Sequence, residues 1–128
     1  MYSHTILFQP TRTSDAEQIR RSLQMLERLR DGWRPGHDIL SSARHAERWT
    51  ISRDADAIIY QFIGYRAWPG DHSALIIGTV LAIAPRDGWV LLASNAWLTL
   101  GPAIAETLSF DPIEVTRSAE VWLRAQPA

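Results

Sequence analysis

Residues 74–93 read ALIIGTVLAIA-PRDG-WVLLA. The run Ala74 to Ala84 is eleven residues long and contains Gly78. It is well short of the roughly 20 apolar residues that span a bilayer, so it reads as a buried strand. In Pro85-Arg86-Asp87-Gly88, proline fixes its own backbone and the Asp-Gly pair accepts unusual dihedrals, which reverses the chain. Trp89 to Ala93 then returns beside the first run, making a hairpin the most secure local feature.

Working outward, Trp49 to Arg53, Ala57 to Trp68 and Trp97 to Leu100 are rich in β-branched, aromatic and aliphatic residues. Asp54-Ala-Asp56 and Pro69-Gly70-Asp71-His72 punctuate them, so the centre of the chain reads as an antiparallel meander of four to five strands. On the N-terminal side, Ser14-Asp15-Ala16-Glu17 is a capping box that starts a helix. Ile19, Leu23, Leu26 and Leu29 form its apolar stripe, and Gly32 is placed to end it. Trp33 to Asp38 is a Pro/Gly turn, and Asp38 is read as the cap of a short helix through Ala46. On the C-terminal side, Asp111-Pro112-Ile113-Glu114 repeats the logic of helix initiation, and Val115, Ala119, Trp122 and Leu123 give a stripe running toward Gln126. No repeat or linker divides the chain. The expectation is one α+β domain over 1–128, with both terminal helices on an antiparallel sheet.

With 46% hydrophobic residues and six tryptophans in 128 residues, there is enough apolar surface to offset the entropy of ordering. The absence of cysteine excludes disulfides, thiolate metal sites and cysteine nucleophiles. Met1 to Gln9 lacks the features of a signal peptide, which leads to the expectation of a cytoplasmic protein without membrane association. The net charge is −1, far from the balance of a dedicated nucleic-acid binder, but it is unevenly spread. Residues 1–53 hold nine Arg against six acids (+3), and residues 54–128 hold four Arg against eight acids (−4).

The catalytic constellations are thin. His37, His45 and His72 with Asp38 or Asp71 could assemble a metal site, but no two stand at helix-face spacing. Asp71-His72-Ser73 is too local for a triad; Ser94 with Asn95 as oxyanion donor and His72 as base is the better hydrolase arrangement. A turn ending the preceding strand explains Ser94 and Asn95 without chemistry, and Gly64 and Gly78 stand singly rather than in a phosphate-cradling motif. No cofactor is expected. Arg20, Arg21, Arg28, Arg30 and Arg34 with Trp33 offer a positive edge with one stacking platform, and Trp33 and Trp68 beside Pro/Gly turns are the candidates for exposed contact.

Asp31-Gly32-Trp33-Arg34-Pro35, Trp49, Gly64, Gly88-Trp89, Ser94-Asn95-Ala96-Trp97 and Leu100-Gly101 together resemble the pattern of a small uncharacterised bacterial family, a domain of unknown function, over about Leu26 to Gly101. The family's Gly-His-Pro element is replaced here by Ala67-Trp68-Pro69, which removes a histidine from the matching position. The resemblance implies a helix followed by a short sheet and carries no activity with it.

The leading expectation is therefore a non-enzymatic protein that binds another protein, of the kind a phage or mobile element uses to inhibit a host defence complex (anti-CRISPR-like). The alternatives are a nucleic-acid-associated accessory domain using the Arg20 to Arg34 edge, and a small hydrolase or metal-dependent enzyme around His72. A homodimer is expected if Ala57 to Trp68 or Ala74 to Ala84 lies uncovered at the sheet margin.

Overall fold

The computed structural model describes residues 3–8, 16–53, 58–67, 73–104 and 110–126. In chain order the elements are β1 (Ser3–Phe8), α1 (Ala16–Arg30), α2 (His37–Leu40), β2 (Arg44–Ser52), β3 (Tyr60–Ala67), β4 (Ser73–Ala84), β5 (Trp89–Leu92), a single 3-10 turn (Ala93–Asn95), β6 (Ala96–Leu100) and α3 (Pro112–Arg124). The α+β class, the antiparallel meander and the flanking helices are as the sequence predicts. The sheet order is β1-β4-β3-β2-β6-β5, and β5 also pairs with β4. That extra pairing closes β2 to β6 into a five-stranded barrel, with β2 and β6 meeting in parallel at Arg44↔Leu98 and Ala46↔Leu100. β1, which the sequence pattern does not announce, adds in parallel to the first half of β4, from Ser3↔Ser73 to Phe8↔Gly78.

Two irregularities bend the sheet. Ala46 and Trp49 both face the barrel interior although three residues apart, because the register slips between Glu47 and Thr50 and Arg48 takes a φ of 48°. On β4, Val80 and Ile83 both point inward across a slip between Val80 and Ala82. Strict alternation would put each pair on opposite faces; a bulge resets the face and adds the twist that closure needs.

The hydrophobic side chains form two layers. Ile51, Phe62, Ile76, Val90, Leu92 and Leu98 fill the barrel, while Leu26, Leu29, Leu81, Leu91, Ala119 and Leu123 join its outer face to α1 and α3. All four β5 residues are buried because β5 runs between the layers, with Val90 and Leu92 inward and Trp89 and Leu91 outward. Burying a side chain such as Phe62 or Leu26 contributes roughly 1.5–3 kcal/mol.

Local signals set several boundaries. Gly32, at a φ of 103°, ends α1 with paired bonds from Trp33 N–H to Arg28 O (2.9 Å) and from Gly32 N–H to Leu29 O (3.2 Å). Asp111 caps α3 by accepting from Ile113 N–H at 3.0 Å, with Pro112 in the first turn. Pro85 to Gly88 closes the hairpin between Ala84 and Trp89, with Gly88 at a φ of 78°.

Two expectations are corrected. The short helix stops at Leu40, is preceded by Gly36 with Asp38 inside it, and Arg44 onward is strand. The β6 ladder reaches Arg44 to Ala46 and overrides the local helix signal. Neither β3 nor β4 lies at the sheet margin, since β3 is flanked by β2 and β4, and β4 by β3 on one side and β1 and β5 on the other. Neither strand therefore presents the uncovered margin on which the homodimer expectation was conditional. The capping residues Ser14 and Asp15, and the Trp68 to His72 turn, lie outside the described residues.

Candidate functional site

The start of α3, the end of β4 and the β4–β5 turn line a groove of about 1140 Å³. One wall is α3, through Pro112, Ile113, Thr116, Arg117 and Glu120; the other is the β4–β5 turn, through Pro85, Arg86 and Asp87. The end of α1 supplies Leu29, Arg30 and Arg34. Buried Ala82, Ile83 and Trp89 make an apolar floor. At the rim Ile113 is 67% exposed, the most exposed large apolar side chain among the described residues.

The guanidinium groups around this floor differ in how they are held. Arg30 on α1 donates to Glu120 on α3, bracing the two helices across the groove. That bond and the carboxylate's charge raise the arginine's pKa above its already high value. Arg34 donates from Nη1 to the carbonyl oxygens of Leu29, which also accepts from Gly32 N–H, and of Trp33, both at 2.8 Å, just beyond the end of α1. Arg117 stands 3.8 Å from Glu114, an exposed pair of little energetic weight. Arg86 has no ion-pair or hydrogen-bond partner among the described residues.

The sequence-predicted arginine edge is distributed rather than concentrated. Arg20 and Arg21 both turn to Glu17, Arg28 lies 4.5 Å over the Trp33 ring, and Arg30 and Arg34 belong to the groove. Trp33 is half-buried, with its ring 6.0 Å from Trp97, which in turn stands 5.3 Å from the buried Trp89. It closes the layer beneath α1. Trp68 lies outside the described residues.

For the hydrolase arrangement, Ser94 and Asn95 form a left-handed turn with φ of 69° and 58°, and Asn95 Oδ1 accepts from Ser22 Oγ at 3.2 Å. His72 lies outside the described residues. His45 Nδ1 is 2.8 Å from Thr99 Oγ1, and His37 sits on α2; among the described residues no three His, Asp or Glu side chains group as metal ligands.

Sequence reasoning missed the groove's own wall. Ile113 is apolar yet lies off the buried stripe of α3, and that misplaced apolar residue was the available signal. Comparison with family models, curated proteins and solved structures found no match.

Proposed function

We propose that this chain is a non-enzymatic binding protein that contacts another protein through the groove between α3 and the β4–β5 turn. One observation carries the reading: Ile113, 67% exposed, projects at the rim of an apolar-floored groove edged by arginines. Apolar centres with arginine around them are the usual composition of protein contact sites. The helices and strands that form the walls are braced by the Arg30–Glu120 pair and by packing of Leu29 and Trp89, so the site is largely preformed.

The test is affinity capture from the native host with wild type and Ile113→Asp in parallel, after nuclease treatment. A stoichiometric protein retained by wild type and lost by the variant supports the reading. Equal capture by both, or capture that nuclease abolishes, contradicts it.

A further inference from the structure

We infer that the partner segment received by the groove is acidic, with carboxylates on Arg34 and Arg86 and a large apolar side chain seated against Ile113 and Phe110. This rests on the groove being a protein-binding site. Four guanidinium groups line it against two carboxylates, Asp87 and Glu120, and Glu120 is already engaged by Arg30. Arg34 and Arg86 are left without a carboxylate among the described residues.

Arg34 is the better prepared of the two. Its bonds to Leu29 and Trp33 both leave from Nη1, which holds the guanidinium in place while Nε and Nη2 keep donors for an incoming carboxylate. A fork fixed in advance loses little rotamer freedom on binding. Arg86 sits on the β4–β5 turn, with Pro85 beside it and α3 across the groove. The same groove is also lined by apolar Phe110, Pro112, Ile113 and Ala84, so an acidic segment with no apolar anchor would leave that surface wet. A nucleic acid fits less well, because Asp87 and Glu120 stand inside the groove against closely spaced phosphates.

The experiment selects random displayed peptides on the immobilised full chain, then measures labelled synthetic copies of the selected sequences by fluorescence anisotropy. The expected sequences carry two or more Asp or Glu around a Leu, Phe, Met or Trp. Replacing their acids by Asn and Gln should weaken binding by about two- to fivefold for each ion pair removed, and Arg86→Glu should weaken it by at least as much. Selected peptides without acidic bias that still require Ile113 would overturn the acidic inference and leave the groove as a protein site. Peptides indifferent to Ile113→Asp, Arg34→Gln and Arg86→Glu, or no enrichment at all, would overturn both. Oligothymidylate binding lost in the same variants would assign the groove to nucleic acid and overturn both.

Discussion

Ser22, on the buried side of α1, donates to Asn95 Oδ1 at 3.2 Å and so ties the first helix to the left-handed turn between β5 and β6. The residues are far apart in sequence, and the bond fixes where α1 lies over the barrel. Ser22 is buried and Asn95 half-buried, so Ser22→Ala leaves the Asn95 oxygen without its partner. The expected cost is about 1 kcal/mol. Urea unfolding should give a lower midpoint with an unchanged slope.

Ser94 stands in the same turn at a φ of 69°, where side chains other than Gly, Asn or Asp carry a steric penalty. Its side chain is exposed. Ser94→Gly is therefore expected to stabilise the protein by about 0.5–1 kcal/mol, the relief of strain exceeding the added unfolded-state entropy. Asn95→Gly should not gain likewise, because it removes the acceptor that Ser22 uses. Parallel thermal melts of the two variants separate these outcomes.

Gly64 and Gly101 are both closely approached, with different consequences. A Cβ on Gly64 would stand 2.9 Å from the Phe62 ring and 3.1 Å from Trp49 Cβ, inside the barrel. Those rings are stacked 6.0 Å apart in a filled core, so Gly64→Ala should cost about 1–3 kcal/mol. At Gly101 the nearest atoms are His45 Nε2 and Glu47 Cγ, on side chains that can swing into solvent. Gly101→Ala should cost clearly less, and a denaturant series of the two compares them directly.

Much of the fold is legible because its signals are local. Pro85 and Gly88 set the hairpin, Gly32 ends α1, and Asp111-Pro112 starts α3, each through a backbone preference that operates within a few residues. Arg44 to Ala46 shows the opposite case. Their strand conformation depends on the parallel ladder to Leu98 and Leu100, a pairing that no local pattern announces. Barrel closure depends likewise on β4 serving three neighbours. The groove was illegible for the same reason, since it exists only where α3 and the β4–β5 turn are placed side by side. Arg30 and Arg34 were visible as candidates, but their service to a shared groove with Arg86 was not.

Asp111 connects stability to binding. Its side chain accepts from Ile113 N–H at 3.0 Å and holds the first turn of α3, the turn that presents Ile113 at the groove rim. Asp111→Ala should cost about 1 kcal/mol in global stability. Hydrogen exchange should show faster opening confined to the start of α3. Peptide affinity should fall more than that of Val121→Ala, an exposed change on the same helix outside the groove lining.

Photo-crosslinking asks whether a protein partner occupies the groove. A benzophenone-bearing phenylalanine is placed at Ile113, on the rim, or at Gln24, exposed on α1 outside the groove lining, in the full chain expressed in its host. A discrete, nuclease-resistant protein adduct is expected from position 113, absent from position 24 and suppressed by Arg86→Glu. No protein adduct at 113, or the same adduct at both positions, would contradict it.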